Sequence, residues 1–182
     1  MKMIKKLVVI YLFLSFLLSP FNSEAKEAKS FEYEILIKQS ERKLFLLENS
    51  KIIRSYKVAV PKYPYVGVIR GEVYKAIMDP VWIPTEKTKA DLVRKGINLP
   101  RVVSPYIIDK RNPLGKAALR IRFNNESLRR YPYLKYVLIH GTNSPASIGQ
   151  RVTRGCFRMY NEDILQLIDI ISGGRTSVVI VE

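Results

Sequence analysis

The sequence predicts a mainly β fold, a sandwich or barrel carrying one or two short helices. Three observations lead there. Beyond the N-terminal segment, apolar residues come in short runs, often of period two, the rhythm of half-buried strands. Polar clusters, glycines and prolines interrupt these runs at close intervals. Only two stretches carry helix start and stop signals. The 182 residues suit one domain with a sizeable core.

Taken in order, Tyr33–Lys38 (YEILIK) and Lys43–Glu48 (KLFLLE) are rich in β-formers and read as a hairpin across Gln39–Arg42. Ile52–Val60 is a third strand, and Val68–Met78 a fourth in which Gly71 marks a candidate bulge. Asp79–Thr85 (DPVWIPT), with two prolines and the only Trp, reads as a loop or edge segment. Glu86–Lys95 follows as a short helix, with Thr85 as N-cap and Gly96 past its end. Leu99–Leu114, interrupted by prolines, is expected to wrap over the surface before the strand Ala117–Phe123. Loops this long in a compact domain often serve a binding site. Tyr136–His140 (YVLIH) is a core strand, followed by the turn-rich TNSPASIGQ. A second helix begins near Asn161, read as its N-cap, with Glu162 and Asp163 suiting the dipole of the first turn. Gly173-Gly174 ends it, and Thr176–Val181 is the last strand.

The N-terminus has a different character. Lys2, Lys5 and Lys6 precede the apolar run Leu7–Leu18, and Ser23 and Ala25 are spaced as in sites cut by signal peptidase. That pattern is a secretory signal over residues 1–25, with the mature domain, residues 26–182, starting near Lys26. The alternative is an uncleaved anchor, which the run disfavours by being shorter than the roughly 20 residues that span a bilayer. No Cys lies near the cut, which excludes a lipoprotein anchor there.

The formal net charge of +15 stays strongly positive without the signal, which holds three lysines and one glutamate. A field of that sign favours polyanions. Export argues against nucleic acid; an anionic cell wall or membrane surface fits the charge better, with solvated basic faces of a Lys- and Arg-rich chain as the alternative.

The chain has one Cys and one His. A single Cys in an exported protein forms no internal disulfide, so it is a free thiol or a bridge to another chain. Cys156 follows Gly155, lies between Arg154 and Arg158, and precedes the second helix. Positive charge and a nearby helix N-terminus both favour thiolate. A thiolate with an imidazole in reach is the minimal apparatus of covalent acyl transfer, although a buried inert Cys and an ordinary polar His remain open on these residues alone. One His and one Cys do not build a usual zinc site, so neither metal nor other cofactor is expected.

The segment HGTNSPASIGQRVTRGCFRMYNED, residues 140–163, resembles the signature of the YkuD-type L,D-transpeptidase catalytic domain. His140-Gly141-Thr142, Gly149, Thr153, Gly155-Cys156, Arg158-Met159 and Asp163 fall at the motif positions with matching His-to-Cys spacing. The opening hairpin, DPVWIPT and Asn112-Pro113-Leu114-Gly115 extend the resemblance over nearly the whole mature chain. Thr153-Arg154 stands where the family commonly has Ser-His or Ser-Lys, and Phe157 where it has Val or Ile. A PTPTG-like family segment is poorly preserved in PKYPYVGVIRGE, which leaves the groove's shape there open.

What the resemblance implies is a peptidoglycan L,D-transpeptidase with an L,D-transpeptidase-type β fold, acting on stem tetrapeptides. Cys156 would attack the third stem residue and expel D-Ala, His140 would carry the proton, and the Gly141 carbonyl would orient the imidazole. Gly155 and Cys156 amides would hold the oxyanion, while Arg158, Arg154, Thr142 and Thr153 would line the substrate site. An amine acceptor gives a 3–3 cross-link, and water gives a carboxypeptidase. A wall-peptide endopeptidase and a silent wall-binding module are the remaining alternatives.

Overall fold

The computed structural model describes residues 30–182, so the expected signal and the start near Lys26 lie outside the described residues. Among the described residues ten strands form two sheets. The larger has eight strands in the order β3-β2-β1-β10-β5-β6-β7-β9, and β4 pairs with β8 in the smaller. The strands are β1 (Tyr33–Lys38), β2 (Lys43–Glu48), β3 (Lys51–Lys57), β4 (Val60–Pro61), β5 (Ile69–Met78), β6 (Ala117–Phe123), β7 (Leu138–His140), β8 (Arg151–Thr153), β9 (Phe157–Arg158) and β10 (Thr176–Val181). The helices are α1 (Glu86–Val93), α2 (Asn125–Arg130) and α3 (Asn161–Ile171).

The expected hairpin forms with the boundaries read from the sequence, Tyr33 facing Glu48 and Lys38 facing Lys43. The alternation of β1 then decides the packing: Ile35 and Ile37 are fully buried, as are Leu44 and Leu46 opposite. The last strand closes onto the first in parallel, Tyr33 beside Thr176, so chain ends distant in sequence share one ladder. Ile164, Leu167 and Ile171 of α3 pack into the same core, joining Leu119, Ile139, Phe157 and Met159. Burial of this kind is worth roughly 1.5–3 kcal/mol per large side chain.

Four expectations change. The strand expected over Ile52–Val60 divides, β3 ending at Lys57 and Val60–Pro61 forming β4 in the smaller sheet. The described residues hold three α-helices rather than one or two, because Asn124 caps an unforeseen turn by accepting the Ser127 N–H at 2.9 Å. Gly71 stays in register opposite Phe123, and the β5–β6 irregularity falls between Val73 and Lys75. Asn161 is the first residue of α3, not its cap, and Tyr160 stands before it without a side-chain cap bond. The Thr85 cap on α1 matches the sequence reading, its side chain accepting from Thr88 N.

Candidate active site

His140 ends β7, flanked by Ala118 of β6 on one side and Arg158 of β9 on the other. The residue is 4% exposed, and Nδ1 lies 2.6 Å from the Gly141 carbonyl oxygen. A nitrogen facing a carbonyl at that distance donates, which fixes the proton on Nδ1 and leaves Nε2 with a lone pair. Burial, then the Arg158 charge, pushes the imidazole pKa down to about 4, against the opposing backbone groups of Gly141, Leu114 and Pro113. The ring is neutral at physiological pH.

The turn that carries the Gly141 carbonyl is pinned from α3. Asn161 Oδ1 accepts the N–H of Thr142 at 3.1 Å and of Lys116 at 3.0 Å, while Nδ2 donates to the Thr142 carbonyl at 3.0 Å. A Cβ on Gly141 would lie 2.3 Å from that Oδ1, so the close approach requires glycine. Asn112, fully buried, ties the neighbouring loops together: it donates to the Pro80 and Ser104 carbonyls at 2.8 Å and accepts the Leu114 N–H at 2.9 Å. Pro113 and Leu114 are thereby held against the imidazole.

Cys156 enters from the adjacent strand. β7 and β9 run parallel with Ile139 beside Phe157 and His140 beside Arg158. Continuing that register by one residue sets Cys156 beside Leu138, whose backbone bonds to the thiol. Strand alternation puts Ile139 and Phe157 into the core and turns Cys156, Arg158 and His140 to the opposite face. Nucleophile and base candidates are diagonal neighbours there. The thiol is part-buried, with the Tyr136 carbonyl 4.0 Å from Sγ. Burial raises its pKa, offset in part by the Leu138 backbone and by Arg158. β9 and two further residues lie between Cys156 and α3 along the chain. The resting pair is neutral thiol and neutral imidazole, an arrangement in which an incoming carbonyl can be attacked as Nε2 takes the thiol proton.

The predicted substrate residues divide. Arg158 makes no ion pair among the described residues; its Nη1 lies 3.4 Å from Ser147 Oγ, and burial lowers its pKa. The guanidinium is therefore open to a carboxylate. Arg154 instead reaches α1, with 2.6 Å to Asp91 Oδ2 and 3.1 Å to Thr88 Oγ1. Thr142 and Thr153 are buried, and their hydroxyls serve their own turns, Thr142 accepting Ser144 N–H and Thr153 donating to the Cys156 carbonyl at 2.6 Å. Gly155 N–H points to Thr153 Oγ1 at 3.3 Å, so it is turned inward and not toward an oxyanion as expected. Cys156 N–H makes no hydrogen bond among the described residues.

Residues 32–180 match the family model of the YkuD L,D-transpeptidase catalytic domain. The chain belongs to the YkuD family. "Probable L,D-transpeptidase YcfS" of Escherichia coli is 33% identical over 128 residues, 65% of this chain and 36% of that protein. "Probable L,D-transpeptidase ErfK/SrfK" of Salmonella typhimurium is 37% identical over 95 residues, 52% of this chain and 26% of that protein. The chain thus spans only about a third or less of these curated relatives. The structure of Bdellovibrio bacteriovorus Bd1075 shares the fold, with a TM-score of 0.54 and 21% identity over 84% of this chain and 48% of that one.

In this YkuD domain sequence reading missed three supports of the site. Asn161 looked like a cap because a polar residue precedes an apolar helix face, and only the fold shows its amide turned back to Thr142. Asn112 carried a signal within its Asn-Pro-Leu-Gly segment but no clue to its partners. Tyr65 sits in the segment that departs from the family pattern, and its contact with Gly155 spans 90 positions.

Proposed function

We propose that the chain is an exported peptidoglycan L,D-transpeptidase that carries the acyl group on Cys156. The observation that supports this most is the shared sheet face of Cys156, His140 and Arg158, which has no ion pair among the described residues. Arg158 binds a stem carboxylate and draws the scissile carbonyl to Cys156. His140 Nε2 takes the thiol proton as the sulfur–carbon bond forms, and the Cys156 N–H receives the developing oxyanion. The carbon–nitrogen bond breaks, and the D-Ala amine leaves with the proton from His140. An acceptor amine then loses a proton to His140, attacks the thioester and releases the thiol. The Gly141 carbonyl holds the imidazole in the required tautomer throughout, the part the third member of a triad plays.

Export through residues 1–25 and attraction of the basic domain to an anionic wall or membrane surface belong to the same proposal, supported by the basic, apolar, small-residue order of that segment and the net charge of +15. The test incubates the mature domain with disaccharide-tetrapeptides. Release of D-Ala with a dimer whose linkage joins two third-position residues supports the reading. D-Ala release into monomeric tripeptide alone would make the domain a carboxypeptidase, and intact substrate would leave a binding module.

A further inference from the structure

Tyr65 lies far from the His140–Asp163 segment in sequence, yet it touches the site at one decisive atom. Its hydroxyl donates to the Gly155 carbonyl oxygen at 3.1 Å. That carbonyl and the Cys156 N–H belong to one planar peptide unit, so fixing the first fixes the direction of the second. Gly155 has φ +147°, and a Cβ there would meet Tyr65 Oη at 3.0 Å, so the phenol and the glycine are matched.

The phenol is itself held rigidly. Tyr65 is 1% exposed, and fully buried Gln39 brackets its backbone, donating to the Tyr65 carbonyl at 2.9 Å and accepting its N–H at 3.0 Å. The ring meets Tyr131 edge-on at 5.2 Å, stacks with Tyr133 at 6.0 Å, and contacts Phe157, the residue after Cys156, at 6.3 Å. On the other side of the turn, Thr153 Oγ1 donates to the Cys156 carbonyl and receives Gly155 N–H. Every polar group of the Gly155–Cys156 turn is thus engaged internally except the Cys156 N–H.

We propose that Tyr65 is a positioning residue for the oxyanion site, acting through the Gly155–Cys156 peptide. A donor on the carbonyl draws density toward that oxygen and strengthens the N–H at the far end of the same amide. The orientation is fixed before substrate arrives, which is what makes such a donor effective when charge develops. Burial raises the phenol pKa, so the hydroxyl remains a donor across the working pH range.

This inference rests on the acyl-transfer reading, and its test separates the two. Two reactions of Cys156 are compared in wild type and Tyr65→Phe. A carbapenem acylates the thiol through a tetrahedral oxyanion: the sulfur–carbon bond forms, the lactam carbon–nitrogen bond breaks, and the ring nitrogen takes the thiol's proton. Iodoacetamide alkylates it by displacement: the sulfur–carbon bond forms, the carbon–iodine bond breaks as iodide leaves, the thiol's proton passes to solvent, and no oxyanion develops. Tyr65→Phe is expected to slow acylation about tenfold, a part of the 10²–10³ that loss of a whole donor costs, and to leave alkylation within about twofold. With a stem tetrapeptide, kcat falls while KM holds. Gln39→Ala, which keeps the hydroxyl but loosens its backbone, moves the acylation-to-alkylation ratio the same way by less. An unchanged ratio in both variants, or parallel loss of both rates, overturns the proposal. Wild-type protein that alkylates but never acylates overturns the acyl-transfer reading and this inference with it.

Discussion

Two parts of the molecule border Cys156 and are held in different ways. Residues 138–163 belong to the sheet and α3: His140, Thr142, Thr153, Phe157 and Met159 are buried, and β7 and β9 pair in a ladder. Residues 79–116, between β5 and β6, contain α1, none of whose residues is buried, and leave Val81, Ile83, Val93, Ile107 and Ile108 more than half exposed. A few polar tethers fix that excursion: Arg154 to Asp91, Asn143 to the Lys110 and Arg111 carbonyls, and Asn112 at its base. The first region is set by packing and the second by individual bonds. Segments with few buried apolar contacts open at lower free-energy cost than packed strands, so the excursion is expected to exchange its amides faster than β7 and β9.

Breaking the packed side should have the largest effect. Cys156→Ala is expected to remove turnover entirely while the melting curve stays close to wild type, because the change deletes a single atom from a part-buried side chain. Residual D-Ala release by that variant would rule out Cys156 as the nucleophile.

His140→Gln should lower kcat about 10²–10⁴-fold, the range of a lost general base. Its pH signature is sharper still. A folded imidazole pKa near 4, below the ordinary 6.5, means the unfolded chain takes up the proton first as pH falls. The stabilisation is complete above about pH 6.5 and is lost toward pH 4. Melting temperature across that window should fall more steeply in wild type than in His140→Gln, and parallel slopes would contradict a neutral buried His140.

Asn161→Ala deletes the three bonds that pin the Gly141-Thr142 turn to Lys116. A cost of about 1–3 kcal/mol in stability is expected for the orphaned amides, with kcat down roughly tenfold and KM little changed. Loss of stability with full kcat would confine Asn161 to folding.

The smallest effect belongs to the tethered side. The hydrogen bond from Arg154 lowers the Asp91 pKa. Asp91→Asn should leave the melting temperature nearly unchanged, speed amide exchange in α1, and raise KM for long stem peptides more than it lowers kcat. Unchanged exchange in α1 would show that the excursion does not depend on this tether.

The sequence made one of these regions far more readable than the other. β1, β2 and β10 were legible because alternating apolar residues have one way to bury a face, and Cys156, His140 and the Gly141 carbonyl because a compact motif keeps them within one segment. The bonds that hold the site were not. Asn161, Asn112 and Tyr65 act through carbonyls and amides brought close only by the completed sheet, and a polar residue before a helix reads the same whether it caps the helix or reaches elsewhere. The state of the thiol was misread for a related reason: flanking arginines suggested a thiolate, but Arg154 is occupied by Asp91, and burial outweighs Arg158.

The most direct test of Cys156 as acyl carrier is the intact mass of the protein, residues 26–182, after exposure to a carbapenem, followed by peptide mapping. A single adduct of the intact drug's mass on Cys156, absent from Cys156→Ala, is the predicted result. A folded wild-type protein that gains no mass, or gains it at another residue, would contradict the account.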